Sequence, residues 1–542
     1  MGDLSAHVLA GASLDRLDPS NRLLAAYLHT LPEVRDLFPH PLADMPALAR
    51  RQRAQADRAA LAEALASFQQ HLGAAPAAVQ QARLLADPAT PVVTVGQQPG
   101  LLTGPLYTVY KAATALALAQ RLRDEIGRPV VTAFWVATDD DDRAEADHCS
   151  LWDQQYNLHT IRYPEGAGRP GQLIGDLPVA EYGDEIIAQV APLLAGQPHT
   201  NVVLDLLRDA LGKSADLGEW CCRLLAALFS AQGLVICDPR QPAIRRLGAE
   251  VMAREIIAPL RTTELVNRQA RTIQQRGYHP ALIKPAETSN FFLYDGNRRR
   301  VTYQHGRYFA GGREYPVEEL LALLEETPEC LLPNAVLRPV VQEYLFGSTA
   351  FVAGPNELCY WAELRPVFDA LDVEMPVVVP RAGATLVPPF VSRRLADWEV
   401  APLDLLLHFD QTRLGLLERR QPAAISQAFA TSHALLDLLV SELTSAVEPL
   451  DATLAQSALG AHQRMCNEVE RLERKTLKAV ERQSSDLAGK LALTREILCP
   501  GRGLQERTLN VCSLLARIGL DGIASLPQLF DRQEGCHVVV EI

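Results

Sequence analysis

Two apolar runs constrain this chain more than any other feature: PVVTV, ending in Val92–Val95, and PVVTAFWVA, Pro129–Ala137. Neither alternates polar with apolar residues. Unbroken β-branched runs of this length suit strands buried on both faces, as in a parallel sheet. Between them lie a glycine-rich turn and a helical stretch, Pro105–Asp124, so the three pieces form a strand–helix–strand unit. The fold class follows as α/β, and such sheets bind ligands beyond the C-terminal ends of their strands.

The turn reads VGQQPGLLTGPLYTVYK, with Gly96, Gly100 and Gly104 spaced by four. It fits neither the phosphate-loop pattern nor G-x-G-x-x-G. Pro105 suits a first helical position, Thr103 or Gly104 would cap, and the free amides of the helix start favour a phosphate or carboxylate. Gln97 and Gln98 add side-chain amides at the strand end. Lys111, two turns on, reaches back or faces solvent. The plainer alternative is a tight turn whose glycines only permit packing.

The second run delivers TDDDDRAEADHCS to the same sheet edge. Asp139, Asp140, Asp142, Glu145, Asp147 and His148 crowd there. Carboxylates so placed bind a hard cation, or hold an amino group or sugar hydroxyls. His148 beside Cys149 supplies two zinc ligands, too few for a site, and no metal centre is expected. Two later loops repeat the strand-to-turn pattern. In AGPNELCYWAELRPVF, Gly354, Asn356, Glu357 and Tyr360 follow a strand. In PRAGATLVP, Arg381 could act as a mobile cation neutralising charge on a phosphate; taken alone, the surface-arginine reading is favoured.

Composition excludes some classes. The 542 residues carry a formal net charge of −13, which argues against nonspecific binding of nucleic acid or of anionic membranes. The N-terminus lacks a basic segment followed by an apolar core, and no uninterrupted apolar run reaches membrane-span length. The ten cysteines form no C-x-x-C pair, as expected of a reduced, cytoplasmic protein. Between Leu403 and Leu498, Leu436, Val440, Leu443, Val447, Leu450 and Leu454 step by four and three, as do Met465, Val469, Leu472, Thr476 and Ala479. This heptad seam predicts an antiparallel coiled-coil arm with a break at Gly460. The alternative is a pair of long amphipathic helices packed on the body. FFLYDGNRRRVTY predicts a hairpin turning at Asp295-Gly296-Asn297. A strand is expected from Tyr344.

The blocks VGQQPGLLTGPLYTVYK, FWVATDDDDRAEADH, LRPVVQEYLFGSTAFVAGPNELCYWAELRPVF with PVVVPRAG, and GLQERTLNVCSLLARIG together resemble the BshC family, the proposed cysteine ligases of bacillithiol biosynthesis. The resemblance covers nearly the whole chain. It implies a Rossmann-type parallel-sheet core resembling class I aminoacyl-tRNA synthetases, with connective insertions and a long coiled coil that forms a homodimer. On that plan residues 1–90 are an N-terminal helical segment, 91–165 and 336–402 the two halves of the core, 166–335 a connective insertion, 403–500 the arm, and 501–542 a segment returning to the core.

The implied reaction joins cysteine to glucosaminyl-malate, using ATP with Mg²⁺ through a cysteinyl-adenylate. No HIGH-type or KMSKS-type signature accompanies it, so adenylation follows from the fold alone. Carried over by position, Gln97, Gln98, Thr103, Gly104, Tyr107 and Lys111 would line the nucleotide or acid pocket. Asp140, Asp142, Glu145 and His148 would handle the acceptor, with Asp140, Asp142 and His148 as the catalytic set. Gly354, Asn356, Glu357 and Tyr360 would close the other half, with Arg381 beside them. Two positions depart from the family pattern: Asp141 stands where a His is usual, and Gly383 where a Ser is. Other classes compete: a metal-dependent hydrolase using the Asp139–Asp142 run, and a coiled-coil scaffold whose α/β body only senses a ligand.

Overall fold

The computed structural model describes residues 4–51, 53, 55–169, 171–483 and 485–542. They form two compact units, one of Met1–Val387 with Gly503–Ile542 and one of Pro388–Arg502. The first holds the sheet the sequence predicts. Five strands run parallel in the order Val377–Pro380, Ala350–Ala353, Val92–Gln97, Val131–Val136, Leu234–Cys237. Nearly every residue in them is buried, as unbroken β-branched runs require. Chain order reverses between Val92–Gln97 and Ala350–Ala353. That reversal opens a crevice beyond their C-terminal ends.

The helix Leu106–Ile126 returns the chain from the first core strand to the second. It is buried over most of its circumference and ends at Gly127, whose φ of 70° suits the left-handed cap. The region 166–335 is not wholly an insertion. Its strand Leu234–Cys237 is an edge of the core sheet, paired with Thr132–Trp135, because LVIC is as apolar as its neighbours. The true insertion carries an antiparallel five-stranded sheet containing Thr288–Tyr294 and Arg298–Gln304, the expected hairpin, with Gly296 at φ 94°. The strand expected from Tyr344 begins later. Leu337–Phe346 is helical, Gly347 breaks it at φ 51°, and the strand is Ala350–Ala353.

The C-terminal strand Cys536–Glu541 pairs with Val8–Ser13 and with Gly383–Val387 in a separate three-stranded sheet. The second unit is helical, built around Ala423–Val447 and Ala452–Gln483. These two run antiparallel, since Asp437 meets His462 at 2.9 Å and His433 faces Glu473 at 3.9 Å. Gly460 lies inside the second helix. The reversal sits instead at Glu448–Asp451, where Pro449 cannot continue a helix and Asp451 accepts the Thr453 amide at 2.8 Å. Leu436, Val440 and Val447 of the heptad seam are half-buried, whereas Leu443, Leu450 and Leu454 remain exposed. Ala423–Val447 is the one helix among the described residues long and apolar enough to cross a membrane, and it bears Asp437 and Glu442.

Candidate functional site

A cleft of about 540 Å³ opens at the C-terminal ends of the core strands. Lys111 forms its floor. It is almost fully buried, and its Nζ donates to the Gly96 carbonyl and to Gln97 Oε1, both at 2.8 Å, and pairs with Glu357. So Lys111 reaches back. Burial holds its pKa below the usual lysine value, and the Glu357 carboxylate opposes that shift. Glu357 also caps its own helix, accepting the Gly354 amide at 2.7 Å. Tyr360 OH donates to Glu357 at 3.4 Å and accepts from Arg338 at 2.9 Å. One hydrogen-bonded chain therefore joins both halves of the sheet across the point where strand order reverses.

The acidic run supplies the opposite rim. Gln98 Nε2 donates to Asp140 Oδ2 at 3.0 Å, while Asp140 Oδ1 accepts from Arg298 at 3.0 Å. Arg298 also bonds Asp141 and lies over the Phe292 ring, 4.0 Å from its centroid. Asp139 is buried and paired with Arg245 at 2.5 Å. Glu145 lines the cleft, and burial, then Asp142 and Asp140, raise its pKa. Burial pushes the Tyr107 phenol up to about 12.

Most of the expected residues meet here: Gln97, Gln98, Tyr107, Lys111, Asp140, Glu145, Gly354, Asn356, Glu357, Tyr360 and Arg381 all line the cleft. Four do not. Asp142 is exposed at the start of the short helix Arg143–Ala146. His148 opens the strand His148–Trp152, where its Nδ1 meets Asp147 at 3.2 Å. Asp142 faces solvent, and the chain turns away after Glu145, so neither Asp142 nor His148 lines the cleft. Thr103 is buried, and Gly104 borders a recess about large enough for one water.

The glycine-rich turn is not open in the way the sequence suggests. Leu102, Thr103 and Gly104 all have positive φ, and a Cβ on Gly100 would lie 2.7 Å from the Gly104 Cα, so the glycines permit a close fold-back. Pro105 is the cap rather than the first helical residue. The Leu106 amide donates to the Leu509 carbonyl at 2.8 Å, and Asn510 Nδ2 bonds the carbonyls of Leu102 at 2.9 Å and Gly104 at 2.7 Å. A distant segment thus occupies the helix start. Arg381 lines the cleft but is not mobile: its guanidinium is buried and held by Glu506 at 2.5 Å.

Sequence reading missed Lys284, Arg298, Arg338 and Arg507. Only the Arg298-Arg299-Arg300 triplet gave a signal, because alternation along a strand sends its first and third members to one face. With Lys111 and Arg381, the cleft holds six cationic side chains against four carboxylates, Asp139, Asp140, Glu145 and Glu357. Three of the cations, Lys284, Arg338 and Arg507, have no carboxylate partner among the described residues. Burial, then Arg300 and Arg298, lowers the Lys284 pKa.

Comparison with known proteins agrees with this architecture. Residues 13–382 match the family model for the Bacillithiol biosynthesis BshC N-terminal Rossmann-like domain, and residues 384–542 that for the BshC C-terminal coiled-coil domain. Among relatives named "Putative cysteine ligase BshC", one from Symbiobacterium thermophilum is 32% identical over 503 residues, covering 88% of this chain and 89% of its own. One from Salinibacter ruber is 30% identical over 533 residues, 96% of each chain. One from Geobacillus kaustophilus is 30% identical over 538 residues, 97% of this chain and 98% of its own.

Proposed function

The chain belongs to the BshC family of bacillithiol biosynthesis, and on that premise we propose that it is a cytoplasmic cysteine ligase, joining the cysteine carboxyl group to the amino group of glucosaminyl-malate. The observation that carries this reading is the charge of the cleft. A chain of net charge −13 gathers three unneutralised cations where its core strands end. The malate carboxylates of glucosaminyl-malate and the phosphates of a nucleotide are both anionic groups that such a cleft suits.

ATP with Mg²⁺ would supply activation of the cysteine carboxylate, as a cysteinyl-adenylate. Lys284 and Arg338 would hold anionic groups, by charge-assisted hydrogen bonds. Mg²⁺ would be carried by the phosphates. Gln98 and Arg298 orient Asp140 to accept a hydrogen bond from the acceptor's amine. Glu145, raised by burial, would take the proton that the amine releases as the amide bond forms. A metal-dependent hydrolase would need Asp139–Asp141 free for a cation, but Arg245 and Arg298 engage all three. Exposed leucines along the helical arm would make the protein a homodimer.

The test is incubation of purified protein with cysteine, glucosaminyl-malate and ATP–Mg²⁺, read by mass spectrometry. A product equal to the two substrates less one water is expected, with AMP released. Release of ADP would replace the adenylate by an acyl phosphate. No product with any nucleotide overturns the ligase reading.

A further inference from the structure

The chain leaves its sheet-bearing unit after Val387 and re-enters it at Gly503. The re-entering segment does more than connect. The Gln505 side chain completes the strand Gly383–Val387 like a missing backbone, accepting the Leu386 amide at 2.8 Å and donating to its carbonyl at 3.0 Å. Glu506 holds Arg381 at 2.5 Å and accepts the Ala384 amide at 3.2 Å. Leu509 and Asn510 close the glycine-rich turn. Gln505, Glu506, Leu509 and Asn510 are completely buried. Arg507, set among these four, is exposed and lines the cleft. Its side chain has no hydrogen-bond or ion-pair partner among the described residues, while its charge acts on the Tyr107 phenol.

We infer that this segment is a wall of the cleft and that Arg507 binds an oxyanion of the substrate, carboxylate or phosphate. Two features separate Arg507 from an ordinary surface arginine. Its neighbours on both sides are pinned by buried hydrogen bonds, so its backbone is fixed and less order is lost on binding. And Glu506 neutralises Arg381, the other cation of this wall, which leaves Arg507 carrying the wall's unspent charge. The identity of the anion rests on the ligase reading; the presence of an anion-binding residue does not.

The experiment is calorimetric titration of the full chain and of Arg507→Ala and Arg507→Lys with glucosaminyl-malate, with ATP–Mg²⁺ and with pyrophosphate. Arg246→Ala, exposed and outside the cleft, is the control, and circular dichroism checks folding. Arg507→Ala is expected to weaken at least one probe about tenfold or more, the loss of one charge-assisted hydrogen bond. Arg507→Lys recovers part of it, and Arg246→Ala changes nothing. Loss confined to glucosaminyl-malate assigns a carboxylate; loss confined to ATP and pyrophosphate assigns a phosphate. If the unaltered protein binds neither glucosaminyl-malate nor ATP, the ligase reading falls, and pyrophosphate alone then decides. Equal affinity of Arg507→Ala and the unaltered chain for every probe overturns the inference, as does binding of none.

Discussion

Replacing Glu357 by Gln tests how the floor of the cleft is built. Lys111 is 2% exposed, and its ammonium has three acceptors: the Gly96 carbonyl, Gln97 Oε1 and the Glu357 carboxylate. A glutamine can still accept from Lys111 and from the Gly354 amide, so the substitution removes charge and little else. It leaves a buried ammonium facing neutral acceptors. Breaking one side of a buried pair costs about 3–5 kcal/mol. The Glu357 side chain is 20% exposed, so water screens part of the pair, and a loss of about 2–3 kcal/mol is expected.

The sign of the pH dependence is fixed. Burial already holds the Lys111 pKa below its unfolded value, and loss of the Glu357 charge lowers it further. Between the folded and unfolded pKa values the unfolded chain binds more protons, so stability rises with pH in that window. The window is wider in the variant, whose deficit therefore shrinks as pH rises toward the unfolded lysine value. Urea unfolding followed through the buried Trp135 and Trp361 reads the sheet-bearing unit. Lys111→Met and the double variant complete a cycle. A coupling energy under about 0.5 kcal/mol, or a deficit that stays constant with pH, refutes the reasoning.

Gly383→Ala is expected to cost about 1–3 kcal/mol, because its Cβ would lie 2.5 Å from Glu506 Oε2 and 2.6 Å from His537 Nδ1. It should also lower kcat/KM by freeing Arg381; unchanged unfolding and kinetics would refute the packing argument. Glu145→Gln should abolish the acidic limb of the pH–rate profile, since the rate falls as pH drops through the raised Glu145 pKa. A limb that survives assigns the proton to another group. Leu435, Leu439 and Leu443 recur every four residues and are each more than 40% exposed. Changing all three to Asp should convert a dimer to a monomer in light scattering with helicity unchanged, and a variant that stays dimeric refutes the arm as the interface.

What the sequence revealed was local. The parallel sheet was legible because burial on both faces leaves its mark within each strand, in PVVTV and PVVTAFWVA. The hairpin was legible because a two-strand turn is written in adjacent residues. Gln98, Asp140 and Glu357 were legible as site residues because each stands at the C-terminal end of an apolar run. The reach of that rule is short: it failed for Asp142, which faces solvent, and for His148, which lies beyond the turn that follows Glu145. Gly460 misled because a glycine is tolerated inside a helix at about 1 kcal/mol, whereas Pro449 is not.

The remainder was illegible because its partners are remote. Arg298 stands 158 positions from Asp140, Glu506 125 from Arg381, and Asn510 408 from Leu102. No periodicity records such pairings. The glycine-rich turn makes the point physically. Its open helix start did promise an anion, since unpaired amides demand an acceptor. The demand was real, but the carbonyl of Leu509 takes the first of those amides, that of Leu106. The cleft's cations without a carboxylate partner among the described residues, Lys284, Arg338 and Arg507, come instead from the insertion, the second half of the core and the returning C-terminal segment. The buried Lys111–Glu357 pair ties the two halves of the core together, and the buried Arg381–Glu506 pair ties the second half to the returning segment.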